Sequence, residues 1–301
     1  MNSRQLQYAI KLSEIRNFSL VAEQLNITQP ALSKQILTLE QELGVRLFDR
    51  STLPLTLTAA GEHFIREAKD LLYREDQLVK SMSDFSSGSR GRLTIGISPF
   101  RSLYLIHTVA KKIRDQFPGI EIVLQEAASD QLRKDAAEGK FDFAIVNLPV
   151  DESVLDVTPI ESDRLVLAVP KAMADRVPST DGTPLPRVIL RQCQELPFIV
   201  VGQHQEMRQL FEKLCASAGL QPKIAMEVVG VTTAWAMARA GIGATLMPLQ
   251  FAVSMAADDA LSYFSLDGCI QTRQPGVITR RGQYLSEYAK FAIQLLTEQC
   301  Q

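Results

Sequence analysis

Gln29, Pro30, Ser33 and Lys34 follow Thr28 within about one and a half turns of a helix, and their spacing sets them on one face. Behind them Leu32, Ile36, Leu39 and Leu43 recur at helical spacing, a stripe expected to be buried. Thr28 is a suitable cap, and Pro30 falls in the first turn, where its missing N–H does no harm. Short polar side chains and a cation at the exposed N-terminus of a helix with a buried back match what a DNA major groove accepts. Gln can pair with adenine, and Lys with guanine or phosphate.

A second group of candidates lies at three strand-to-helix junctions: Ser98-Pro99-Phe100-Arg101-Ser102, Gly202-Gln203-His204 and Val231-Thr232-Thr233. Helix N-termini offer unpaired N–H groups there, and Arg101 adds a cation, so the chemistry expected is capture of a small carboxylate. Ser102, Thr232 and Thr233 also read as helix caps, a role compatible with binding, and Ser129 and Asn147 are further candidates.

These groups need elements to hold them. Leu6, Ala9, Ile10 and Ser13 indicate a first helix. Ser19 is expected to cap a second, with Leu20, Val21 and Leu25 inward and Asn26 left-handed at its end. Gly44 should end the third helix; Leu37 stands off its apolar stripe. Val45–Phe48 and Leu53–Leu57 alternate like a small β wing, with Arg50 near the phosphates. Thr58 should cap a long helix to about Ser83. Its apolar positions include Phe64, Ile65, Leu71, Leu72, Leu78, Val79 and Met82, a stripe suited to self-pairing, although Glu75 interrupts it. Ser86–Gly91 reads as a linker.

From Gly91 onward strands and helices alternate: strands near 93–97, 120–125, 141–146, 165–169, 198–201, 224–229 and 243–247, with one helix beginning at Ser102 and others capped by Ser129 and by Thr232 or Thr233. Such repeats imply largely parallel sheets. Gly241-Ile242-Gly243 follows a helix, so it reads as a C-terminal turn and not a phosphate loop.

The segment from Phe18 to Gly61 closely resembles the helix-turn-helix of LysR-type transcriptional regulators. The match runs through Phe18-Ser19, Ala22, Leu25, Thr28-Gln29-Pro30-Ala31-Leu32-Ser33-Lys34-Gln35-Ile36, Leu39-Glu40, Leu43-Gly44, Leu47-Phe48-Asp49-Arg50 and Leu57-Thr58-Ala59-Ala60-Gly61. Ser51–Thr56 departs from it, since relatives often carry more basic residues there. The resemblance implies an all-α winged helix-turn-helix domain (1–58), a linker and dimerisation helix with hinge (59–90), and an α/β effector domain (91–301). The last is similar to type 2 periplasmic binding proteins, with one subdomain of 91–161 plus 267–301 and a second of 162–266, the chain crossing near Glu161–Arg164 and returning near Gly268–Pro275. It also implies a bacterial regulator that binds pseudo-palindromic double-stranded DNA, a small-molecule effector between the subdomains, RNA polymerase, and copies of itself as a homodimer assembling to a homotetramer. Thr28, Gln29, Pro30, Ser33, Lys34 and Arg50 are the expected DNA-binding residues. Ser98, Phe100, Arg101, Ser102, Ser129, Gly202, Gln203, His204, Val231, Thr232 and Thr233 are those expected at the effector.

Composition narrows the function further. The formal net charge is −2, and residues 1–90 carry as many Lys and Arg as Asp and Glu, so DNA contact must rest on local cations such as Lys34, Arg46 and Arg50. Cys193, Cys215, Cys269 and Cys300 are scattered, without the close pair of peroxide-sensing relatives, and read as structural in a reduced compartment. His63, His107 and His204 are isolated, so no metal is expected. The chain shows no nucleophile–base pair and no cofactor fingerprint, which argues against an enzyme. No apolar run spans a bilayer and no signal peptide is recognisable, so a cytoplasmic protein is expected.

Overall fold

The computed structural model describes every residue except 53, 86–90, 161–163, 181–184, 255–259, 267–273 and 299–301. The N-terminal unit begins with α1 (Ser3–Ile15), closed by a capping box between Asn2 and Gln5. Helix α2 (Phe18–Gln24) is capped by Asn17, not Ser19: the Asn17 amide oxygen accepts the N–H groups of Ser19 (2.9 Å) and Leu20 (3.2 Å). Moving the cap two residues upstream turns Leu20 outward, half exposed, and leaves Val21 and Ala22 to fill the core. Asn26 is left-handed as expected, at φ 52°.

Helix α3 (Gln29–Leu43) starts at the Thr28 cap and stops at Gly44, φ 71°. Leu32, Ile36 and Leu39 are buried, whereas Leu43, in the last turn, is 38% exposed. The wing is shorter than the alternation suggested: β1 (Phe48–Asp49) pairs antiparallel with β2 (Thr56–Leu57). Helix α4 runs over Ala59–Phe85, with the Thr58 hydroxyl accepting the Gly61 N–H at 3.0 Å. At Gly61 a Cβ would stand 2.0 Å from the Leu47 carbonyl oxygen, so α4 meets the wing root at backbone contact. Of the expected Ser86–Gly91 linker, 86–90 lie outside the described residues.

Gly91 opens β3 (Gly91–Ile97), followed by α5 (Pro99–Gln116), β4 (Ile120–Glu126), α6 (Ser129–Ala137), β5 (Phe143–Asn147) and β6 (Leu155–Pro159). The chain then enters a second sheet at β7 (Leu165–Pro170). There follow β8 (Ser179–Thr180), β9 (Arg187–Val188), β10 (Pro197–Val201), α7 (Glu206–Ala218), β11 (Lys223–Val228), α8 (Val231–Arg239), β12 (Thr245–Pro248), α9 (Leu249–Ser254) and β13 (Leu261–Leu266). It returns to the first sheet as β14 (Pro275–Arg280) and ends in α10 (Glu287–Glu298). The first sheet is ordered β4-β3-β5-β14-β6, the second β12-β7-β13-β9-β8, and β10 pairs with β11.

Both five-stranded sheets are mixed rather than largely parallel. β3 lies parallel to β4 and β5, but the returning β14 runs antiparallel to β5 and β6, and β7 is antiparallel to β12 and β13. A strand that arrives from the other sheet needs no helical crossover, so it is free to enter antiparallel. Most of the crossover and return segments expected at 161–164 and 268–275 lie outside the described residues.

Three helix starts are earlier than the hydroxyls suggested. α5 begins at Pro99 with Ser98 as its cap, which accepts the Arg101 N–H, so Ser102 sits inside the first turn. α6 begins at Ser129 itself, with Ala128 in the cap position and no side-chain cap bond. α8 begins at Val231 after an extended Gly230, leaving Thr232 and Thr233 in its first turn as exposed residues and not caps. Gly241, φ 84°, ends the turn after α8, as expected. Among the described residues no helix is long and apolar enough to cross a membrane.

Candidate functional site

Two surfaces carry the expected chemistry. On the first, Thr28, Gln29, Pro30 and Lys34 are exposed and Ser33 is half-buried, all at the start of α3. Leu37, 46% exposed, extends the same outward face. The rear of α3 is anchored by Leu32, Ile36 and Leu39 against Ala9, Leu12, Val21 and Ala22. Arg50 is set differently from these. Its guanidinium donates to Glu40 Oε2 at 3.0 Å and lies 5.5 Å over the Phe18 ring. Glu40 is 7% exposed, and its other oxygen accepts the Leu47 and Phe48 N–H groups at 2.8 and 3.2 Å. Sequence reasoning missed Glu40 as an organiser, although it falls four residues after Ile36 on the inward face, where a carboxylate needs partners.

Helix α4 has three sides. One, with Ile65 and Ala68, is buried near the N-terminal core. A second docks on the first sheet's domain. There Tyr73 fills the space over Gly139, where a Cβ would stand 2.2 Å from the ring, and Arg280 stacks 4.1 Å above that ring while pairing with Asp70 at 2.8 Å. Lys80 pairs with the buried Asp142 at 3.2 Å, and the Tyr284 N–H donates to Gln77 Oε1 at 2.9 Å. Burial pushes the Tyr73 phenol up to about 12, so it stays neutral. The third side shows Leu71, Leu78, Val79 and Met82, each about half exposed or more.

The second surface lies between the two sheets. Arg101, only 2% exposed, donates to the Asn147 side-chain oxygen, and Asn147 donates through its amide to Glu206. Glu206 belongs to the first turn of α7, where the helix dipole favours a carboxylate. The chain Arg101–Asn147–Glu206 therefore crosses from the first sheet's domain to the second's. Arg133 braces it by donating to the Asn147 carbonyl at 3.2 Å. Aromatic rings span the same boundary: Phe100 stands 4.7 Å from Phe251, and Phe251 stands 5.7 Å from Trp235.

Ser98 is spent on capping, and Ser102 hydrogen-bonds Glu126. Gly202, Gln203 and His204 come together with Gln205, Glu227, Val228 and Val229 around an open cavity of about 560 Å³. Arg101 and the Ser98–Ser102 turn do not line this cavity, and Arg101 reaches its edge through Asn147 and Glu206, the neighbour of Gln205. Thr232 and Thr233 are exposed, Val231 is buried, and Ser129 is half-buried at the start of α6. Glu206 escaped the sequence reading; its signal is an acidic residue opening a helix at an expected ligand junction.

An exposed helix N-terminus over a buried back, a paired wing, and a two-sheet module joined across a polar boundary fit a DNA-binding regulator. Residues 3–62 match the model of the bacterial regulatory helix-turn-helix protein, lysR family, and residues 86–301 match the LysR substrate binding domain. The chain belongs to the LysR family of transcriptional regulators. Its relatives include the HTH-type transcriptional regulator YcgK of Bacillus subtilis, 30% identical over 99% of this chain and 94% of the relative. The dual regulator OxyR of Escherichia coli is 29% identical, covering 97% of this chain and 94% of its own. Among solved structures, the LysR-family regulator CbnR complexed with its target DNA aligns over 98% of this chain and 99% of its own, with TM-score 0.64 and 20% identity. Like those relatives, this LysR-type protein is a DNA-binding transcriptional regulator with an effector-binding domain, and not an enzyme.

Thiol chemistry of the peroxide-sensing kind is disfavoured at two of its cysteines. Cys193 and Cys215 are buried, which pushes both thiols up to about 11, whereas attack on an oxidant needs a thiolate. Cys269 and Cys300 lie outside the described residues.

Proposed function

We propose that residues 1–58 read DNA through Thr28, Gln29, Pro30, Ser33 and Lys34, and that residues 59–90 pair two copies. Residues 91–161 with 267–301, and 162–266, are then the two effector subdomains. The observation that carries the DNA reading is the exposure of this N-terminal face of α3 over the buried Leu32, Ile36 and Leu39. Paired copies set two recognition helices in successive major grooves of a pseudo-palindromic site. Two such dimers form a tetramer on longer DNA, in the cytoplasm, within reach of RNA polymerase. CbnR, a fold neighbour solved in complex with its target DNA, supports the DNA reading.

The effector in this reading is a small organic anion held at the boundary between the subdomains. Arg101 supports it, as a buried cation at that boundary. An incoming anion takes Arg101 from Asn147 and Asn147 from Glu206, and so favours one subdomain arrangement over the other. Only a ligand that binds the two arrangements unequally shifts their populations. The cavity at Gly202–Gln205 and the first turns of α6 and α8, with Ser129, Thr232 and Thr233, are available to its remainder. Two experiments test this. Selection from a random duplex library should yield a site with dyad symmetry, and its failure to enrich one would sink the DNA reading. A thermal-shift panel of aromatic and aliphatic carboxylates should raise the melting temperature with one class. A flat panel would remove the anion.

A further inference from the structure

Arg50 stands where a wing cation would meet a phosphate, yet its contacts point inward. We propose that Arg50 is a positioning residue, acting through Glu40 to fix the wing and α2 against the recognition helix, and that its charge makes no phosphate contact of its own.

Glu40 is on the inner side of α3, and its side chain is 6% exposed. A carboxylate withdrawn that far from water persists only where its lone pairs are met. It meets them with the Leu47 and Phe48 N–H groups and the Arg50 guanidinium. Those two N–H groups belong to the chain that leaves α3 after Gly44 and enters β1, so one carboxylate fixes the distance from the recognition helix to the wing root. The Leu47 carbonyl in turn accepts the Thr58 N–H at 3.0 Å, which joins the start of α4 to the same point. Arg50 closes the arrangement from outside. One edge of its guanidinium is held by Glu40, and its face lies over Phe18, the first residue of α2. A planar guanidinium can hold both at once; a lysine ammonium, a point charge on a flexible stem, cannot.

The distinction is measurable, because a phosphate contact carries a salt signature that a positioning residue lacks. Each neutralised phosphate contributes about −0.9 to the slope of log K against log salt. Full-length protein would be titrated by fluorescence anisotropy against the duplex recovered by selection and against a mixed-sequence duplex, from about 50 to 200 mM salt. Arg50→Gln and Arg50→Lys should each weaken binding to the selected duplex about tenfold with the slope unchanged, and leave the mixed-sequence duplex bound as before. Glu40→Gln should give the same loss, and the Arg50→Gln/Glu40→Gln double variant no more than either alone, as residues acting as one unit do. Lys34→Gln serves as the control, with a slope shallower by about 0.9. A shallower slope for Arg50→Gln, full activity of Arg50→Lys, or an undiminished Arg50→Gln loss in the Glu40→Gln background would each overturn the proposal. The mixed-sequence slope decides the matter even where no selected duplex emerges, and Arg50→Lys, which keeps the charge, covers the case in which Arg50→Gln does not fold.

Discussion

Replacing Leu78 by Glu should split the dimer proposed to form through α4. Leu71, Leu78, Val79 and Met82 leave 49%, 60%, 64% and 52% of their surface open on the third side of α4. Full burial of such a side chain contributes about 1.5–3 kcal/mol, so covering the open half contributes about 1 kcal/mol. Four residues on each of two helices then supply about 8 kcal/mol, a gross figure comparable with the cost of association itself, about 4–15 kcal/mol. The pairing is therefore sensitive to each member. A two-fold interface carries every substitution twice, so Leu78→Glu removes about 2 kcal/mol of burial, or about thirtyfold in Kd. Each new carboxylate costs several kcal/mol more to desolvate, which takes the loss past about a thousandfold. Sedimentation equilibrium of the full chain at low micromolar concentration reads the result, with circular dichroism checking that α4 persists. A dissociation constant within threefold of the parent would refute pairing through this face.

Gly61→Ala should destabilise the N-terminal unit by about 1–2 kcal/mol, although alanine is the better helix former by about 1 kcal/mol, because the Cβ meets the Leu47 carbonyl; amide exchange in α1–α3 measures it. Glu206→Ala should loosen the boundary between the two sheets and raise acrylamide quenching of Trp235, the chain's one tryptophan, with no effector added. Unchanged quenching would show that the Arg101–Asn147–Glu206 chain does not hold the boundary. Cys193 and Cys215 should resist alkylation at pH 8 in the native protein and react on unfolding, since thiolate forms only as pH approaches about 11; peptide mass mapping after iodoacetamide distinguishes the two states.

Local signals carried well from sequence to structure. Thr28, Gly44 and Asn26 act within a few residues of themselves, so their capping and left-handed roles were legible, and so was the 3.6-residue stripe of α3. Competition between neighbouring polar residues was not. Asn17 takes the cap in place of Ser19 and Ser98 in place of Ser102, each with an extended backbone and a side-chain bond into the first turn, while Gly230 holds the cap position before the two threonines with an extended backbone alone. Long-range partners were illegible in principle. Nothing near Arg101 in sequence signals that Asn147 and Glu206 will cover it, and nothing near Tyr73 names Gly139 as its seat. The antiparallel β14 depends likewise on a return from the other sheet, and the burial of Glu40 on a wing root that periodicity does not describe.

The docking of α4 has a mechanical consequence. Its 27 residues make a rod about 40 Å long. One end is fused at backbone contact to the wing root through Gly61, and the other lies strapped to the effector-binding half through Tyr73, Gln77 and Lys80. A rod held at both ends works as a lever. Gly61 and Lys80 lie about 28 Å apart along it, so a tilt of about 10° imposed at the strap sweeps the wing end through about 5 Å, roughly the rise of one and a half base pairs at 3.4 Å each. If residues 1–58 read DNA as proposed, motions of the size of a side chain at the effector-binding half would reach the duplex as shifts of more than one base pair.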